Sequence, residues 1–110
     1  MKVDEFNKNT EHLMECVKNI LIRKQAEYAE DTDRLANFKQ FQSLTGKTSV
    51  ENATDYWLKH VGSIYKLGKD LNKGIYPTKE LLEEKCQDAI AYIFLIYNCA
   101  LEHMKNHPKE

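Results

Sequence analysis

The chain has 110 residues, enough for one domain with its own core and too few for two. It is 42% apolar and 30% charged, with four Gly and two Pro, a balance that excludes a disordered or fibrous chain and leans toward helix. Sixteen basic against seventeen acidic residues leave a formal charge of −1, which argues against wholesale nucleic-acid binding, because phosphate attraction needs a net basic face.

The first predicted helix runs from Val3 to Glu30. Phe6, Thr10, Leu13, Met14, Val17, Ile20, Leu21, Lys24 and Tyr28 recur at three- and four-residue steps and make one stripe. After the acidic segment Glu30-Asp31-Thr32-Asp33, Asp31 or Thr32 is placed to cap a short second helix carrying Leu35, Phe38, Phe41 and Leu44, with Gly46 as its stop. Thr48-Ser49-Val50-Glu51 has capping-box spacing and opens a third helix with the stripe Ala53, Trp57, His60, Val61, Ile64, Leu67 and Leu71, closing at Gly74. Pro77-Thr78 starts a fourth helix that reaches about His103. The expectation is an all-α, single-domain protein: a compact four-helix bundle of two long and two shorter helices over residues 1–110, its core about 5–103 and its termini frayed.

In the fourth helix, Leu82, Lys85, Ala89, Tyr92, Ile93, Ile96, Cys99 and Ala100 share an inner face, yet Ile90, Phe94 and Tyr97 lie opposite. A helix that is apolar all round needs covering on both sides. Either a second subunit supplies that cover, giving a homodimer or higher homo-oligomer, or the first helix folds across it.

The longest mostly apolar run, Ala89 to Ala100, is too short to span a bilayer, and the polar start of the chain does not read as a signal peptide. Cys16, Cys86 and Cys99 form no CxxC pair, and the odd count reads as reduced thiols serving as small buried hydrophobes. The expected location is the cytoplasm.

Charge interrupts the apolar stripes at Lys24, at His60 beside Lys59, and at Lys85, which Glu84 and Asp88 flank. A charge facing a core costs several kcal/mol unless it is paired or wet. The simplest arrangement gathers Lys24, His60, Lys85, Glu84 and Asp88 in one polar pocket lined by Tyr28, Trp57 and Tyr92. The plainer alternatives are lysines lying along the core with their ammonium groups in water, and a neutral core histidine at His60. Lysines, a histidine and stackable aromatics suit a phosphate attached to a flat base. Glu84 and Asp88, four apart on one helix face, suit Mg²⁺, with further acids available from Glu27, Glu30 or Asp31. The chain has no glycine-rich phosphate loop, HExxH, GxSxG or zinc spacing.

Arg23-Lys24-x-x-x-Tyr28, Ala36-Asn37-Phe38, Trp57-Leu58-Lys59-His60-x-x-Ser63-Ile64 and Glu84-Lys85-x-x-Asp88-x-x-x-Tyr92 together resemble a group of small bacteriophage proteins of unassigned role. More distantly, the set is similar to the all-α nucleotide pyrophosphatases of the MazG and dimeric-dUTPase type, over roughly residues 20–100. That resemblance implies an α-helical dimer or tetramer in which acidic residues of neighbouring helices hold Mg²⁺ against a nucleoside triphosphate. The motif's two acids stand three apart, whereas Glu84 and Asp88 stand four apart with Lys85 between them. A lysine among carboxylates can replace a metal's charge and leave a protein that holds a nucleotide without cleaving it.

Three functions follow as expectations. The first is a phage-type nucleotide-binding protein: Lys24, Lys59 and Lys85 contact phosphate, Trp57 or Tyr28 stacks on the base with His60 and Tyr92 nearby, and Glu84 with Asp88 binds Mg²⁺. Whether it is an enzyme stays open; the reaction implied is pyrophosphate release. The second is a non-enzymatic anti-defence factor that sequesters a nucleotide signal or docks on a host protein. The third is a helical bundle with no ligand.

Overall fold

A computed structural model describes residues 1–27 and 33–109, with the backbone alone for 24–27. The described residues form five helices and no strand: α1 (Val3–Glu27), α2 (Ala36–Gln40), α3 (Gln42–Thr45), α4 (Ser49–Asn72) and α5 (Lys79–Asn106). The expected all-α class holds, and no helix among the described residues is long and apolar enough to cross a membrane.

Local chemistry sets the helix ends. Thr48 caps α4: its Oγ1 accepts from the Glu51 N–H at 3.2 Å, and Glu51 Oε1 accepts from the Thr48 N–H at 3.3 Å. At its other end the Ile75 N–H reaches back to the Asp70 carbonyl at 2.8 Å. Gly74, at φ 80°, allows the chain to turn there, where an L side chain would be strained. Thr78 caps α5 by accepting from the Leu81 N–H at 3.1 Å. The single short second helix is corrected to two pieces, because the chain breaks at Phe41 between α2 and α3. The expected caps Asp31 and Thr32 lie outside the described residues; Asp33 instead accepts from the Leu35 N–H at 3.0 Å just ahead of α2.

α5 is the central helix. α4 packs antiparallel along it: Ser63 meets Lys85 near the start of α5, and Ala53 and Cys99 share the core near its end. α1 lies on another side and runs in the same direction as α5, with His12 against Glu83 and Leu21 further along beside Phe94 and Leu95. The first helix therefore covers part of the second apolar side of α5. The bundle is not closed. Its radius of gyration is 16.7 Å, against about 13 Å for a compact domain of this length.

The core sits where α2, α4 and α5 meet. Leu35, Phe38, Ala53 and Cys99 are buried there, with Val50, Tyr56, Tyr92, Leu95 and Ile96 packed around them. Burial pushes the Cys99 thiol above its ordinary pKa, and a hydrogen bond with Ser49 opposes that shift. Cys99 thus fits the expected small buried hydrophobe, whereas Cys16 and Cys86 are only half-buried. Asn52 is a buried polar residue with its groups matched: Nδ2 donates to the Phe38 and Lys47 carbonyls at 3.3 and 3.4 Å, and Oδ1 accepts from Thr45 Oγ1 at 3.0 Å. Those bonds pin α2 and α3 onto α4. Along α1 the core thins, with Val17 buried but Phe6 and Met14 exposed.

Candidate functional site

A cleft of about 600 Å³ opens in the angle between α1 and α4, with α5 as its floor. At about 100° per residue, Glu80, Glu84 and Asp88 follow one another on a single face of α5, one per turn, and that face fronts the gap. Glu83 and Gln87 line the same cleft beside them. α1 contributes Ile20 and Arg23, and α4 contributes His60. Tyr92 closes the inner end, its ring 4.8 Å from that of His60 between centroids.

Behind this cleft lies a smaller cavity of about 130 Å³ that also includes Ile20, Asp88 and Tyr92 in its lining. Arg34, Asn37 and Phe38 from the α2 region form its far wall. Asp88 and Tyr92 therefore stand at the boundary of two adjoining spaces, both half-buried, while Glu80 and Glu84 are exposed at the outer end.

The expected gathering of polar residues occurs in part. His60, Glu84, Asp88 and Tyr92 come together. Lys85 does not join them: it sits about 100° round the helix from Glu84, on the side covered by α4, and its Nζ donates to Ser63 Oγ. There it shares a separate cavity of about 260 Å³ with Lys66, Asp70 and Tyr76. Lys59 is exposed, its Nζ 5.2 Å from the Tyr56 ring centroid. Trp57 is half-buried on α4 and does not line the cleft. Lys24, Glu27, Tyr28, Glu30 and Asp31 lie outside the described residues or side chains.

Among the described residues the cleft is acidic: Lys59 and Lys85 lie elsewhere, and the Arg23 guanidinium is the permanent cation in the described lining. Its donor set is made of carboxylate and amide oxygens, the ligand type of a hard cation, but among the described residues no three of its acids bring their oxygens within 4.8 Å of one another. Arg23 suits the planar, two-point recognition of a phosphate or carboxylate. Arg23, Glu80, Glu83, Gln87, Arg34 and Asn37 are not among the site residues expected from the sequence. The Glu80-Glu84-Asp88 spacing was the available signal, since an acid recurring every fourth residue makes a single carboxylate ridge on a helix. Arg34 and Asn37 reach the site only through the tertiary placement of α2.

The chain matches no family model, no curated protein and no solved structure.

Proposed function

We propose that the protein binds a nucleoside phosphate, as its Mg²⁺ complex, in the cleft between α1, α4 and α5. The observation that carries this reading is the ridge Glu80, Glu84 and Asp88 facing a gap that also holds Arg23, His60 and Tyr92 from three different helices. Glu84 and Asp88 would hold the metal, with Glu80 completing the ridge at its outer end. Bound there, Mg²⁺ supplies charge neutralisation and Lewis acidity toward phosphate oxygens. Arg23 takes a phosphate through paired N–H donors, and the aromatic face of Tyr92, backed by His60, offers a stacking surface for the base. The distant sequence resemblance to all-α nucleotide pyrophosphatases favours the same ligand class. Because Lys85 stands apart from the carboxylates, it does not occupy the metal's place.

The test is thermal unfolding with nucleoside triphosphates, with and without Mg²⁺. Saturation at 100 times Kd adds about 2.7 kcal/mol, which raises Tm by roughly 10–20 °C in a chain of this size. The shift should require Mg²⁺ and disappear in Asp88→Asn and Arg23→Ala. Stabilisation by no triphosphate, or a shift untouched by both substitutions, would remove the reading. Release of pyrophosphate then separates an enzyme from a protein that only sequesters the nucleotide.

A homodimer built on α5 belongs to the same proposal. Ile90, Phe94, Tyr97, Leu101 and Met104 recur at spacings of four and three, the heptad seam of a helix that pairs with another helix, and all five side chains are exposed. The chain exposes 8574 Å², about 2,300 Å² more than a compact protein of 12.9 kDa is expected to show. A standard interface takes about 800 Å² from each partner, so pairing through the seam would cover part of that excess. A second copy presents the same seam, so it is the occupant that complements this surface.

A further inference from the structure

We infer that His12, Cys16 and Glu83 form a binding site for a borderline-soft divalent cation, with Zn²⁺ the natural occupant. His12 and Cys16 stand four apart on α1 and therefore on one face, and Glu83 meets them from α5. One ligand atom from each, the imidazole Nε2, the thiol Sγ and a carboxylate oxygen, all lie within 4.8 Å of one another. His12 Nε2 is 3.6 Å from Cys16 Sγ and in hydrogen-bond contact with Glu83 Oε1. Tetrahedral zinc with its usual bond lengths to nitrogen and sulfur sets those two ligand atoms about 3.5 Å apart. The nitrogen and sulfur thus already have the spacing that the ion imposes, and the Glu83 oxygen, in hydrogen-bond contact with Nε2, draws back from the ring as the ion enters between them.

The ligand chemistry selects the ion. A nitrogen, a sulfur and one oxygen suit zinc and disfavour magnesium, which takes oxygen ligands. Binding requires His12 Nε2 to present its lone pair and Cys16 to release its proton to solvent as the metal–sulfur bond forms. Three protein ligands leave a fourth position for water or an incoming group, as in catalytic rather than structural zinc sites. Glu83 also lines the acidic cleft, so an ion held by the trio sits at the rim of that cleft. It would also tie α1 to α5 where α1 is otherwise weakly held, since residues 1–12 are all exposed.

Cobalt(II), a spectroscopic substitute for zinc, tests the site in the metal-free full chain without any nucleotide, so that the result is independent of the Mg²⁺–nucleotide reading. The expected spectrum has the visible bands of tetrahedral cobalt together with a thiolate-to-cobalt charge-transfer band, at one equivalent per chain, and is abolished by added Zn²⁺. Cys16→Ser should remove the charge-transfer band, and His12→Ala or Glu83→Gln should weaken binding at least tenfold. His103 and His107, stacked 4.4 Å apart near the end of α5, are the rival metal ligands. The double substitution His103→Ala with His107→Ala should leave the signal intact, as should Cys86→Ser. No charge-transfer band in the wild-type chain, a band surviving Cys16→Ser, or one lost with the His103 and His107 pair would overturn the assignment.

Discussion

The rings of His60 and Tyr92 lie 4.8 Å apart at an interplanar angle of 32°, joining α4 to α5 at the inner end of the acidic cleft. Tyr92 also belongs to the core, with ring centroids 6.2 Å from Tyr56 and 6.3 Å from Phe38. The two partners should therefore respond differently to truncation. Tyr92→Ala is expected to cost about 3 kcal/mol by removing the centre of an aromatic cluster. His60→Ala is expected to stay within about 1 kcal/mol of wild type while weakening triphosphate binding. Urea unfolding and ligand titration of both variants measure the split; equal loss of stability would mean that His60 serves the core alone.

Phe94 lies in the exposed α5 seam and also in an apolar groove of about 660 Å³ shared with Met14 and Ile90. A charge at that position should be tolerated in a monomer and harmful to a self-associated form. If α5 pairs as proposed, the wild-type chain sediments as a dimer and Phe94→Lys as a monomer that retains helical circular dichroism. The conservative change Phe94→Leu should keep the dimer. A wild-type chain that stays monomeric at high micromolar concentration would exclude the seam as a self-association surface.

Features governed by nearby residues were legible in the sequence. Thr48 and Glu51 announce the start of α4 because a capping box is local chemistry, and Gly46 and Gly74 mark stops because positive φ is a local demand. The excess apolar surface of α5 was equally plain, since its period covers the whole helix. What escaped was which neighbour covers which side. Lys85 and Asp88 are three residues apart, yet one is roofed by α4 and the other faces the gap beside α1. Only the directions of α1 and α4 around α5 decide that, and they arise from tertiary packing. The break at Phe41 was hidden for a similar reason, because the pattern Leu35, Phe38, Phe41, Leu44 reads as one continuous stripe.

Lys39 binds two carboxylates, Asp33 at 2.5 Å and Glu102 of α5, and so fastens the α2 region to the central helix. The hydrogen bond from Lys39, aided by the Leu35 N–H, holds the Asp33 carboxyl below its usual range, with burial opposing the shift. A carboxyl depressed in the folded state stabilises fully above its unfolded pKa, and that contribution is lost as pH falls through the folded value. Unfolding free energy should accordingly decline below about pH 4. Asp33→Asn should flatten that decline while lowering stability at pH 7. Both side chains are more than one-third exposed, so the difference at pH 7 should be under about 1 kcal/mol. Denaturant titrations between pH 2 and pH 7 test this, and parallel acid limbs for the two proteins would show that other carboxyls dominate.

Asn52 offers the sharpest test of how the short helices are held. Its amide donates to two carbonyls and accepts from Thr45 Oγ1, all at a nearly inaccessible position. Asn52→Ala removes every one of those partners and leaves buried acceptors unmatched, at a cost of about 1–3 kcal/mol. Asn52→Asp keeps the shape and the acceptor but places a carboxylate against the Phe38 and Lys47 carbonyls, so at pH 7 it should be the more damaging change. Burial and those carbonyl oxygens favour the neutral acid, which can donate once. The variant's folded pKa should therefore rise above the unfolded value, and its deficit relative to wild type should shrink as pH falls toward the unfolded carboxyl pKa. Near-ultraviolet circular dichroism of the Phe38, Tyr56 and Tyr92 cluster, followed with urea unfolding at pH 7 and pH 4.5, reports both effects. A deficit in Asn52→Asp that does not change with pH would show that the side chain is hydrated in solution and that α2 and α3 are held by apolar contacts alone.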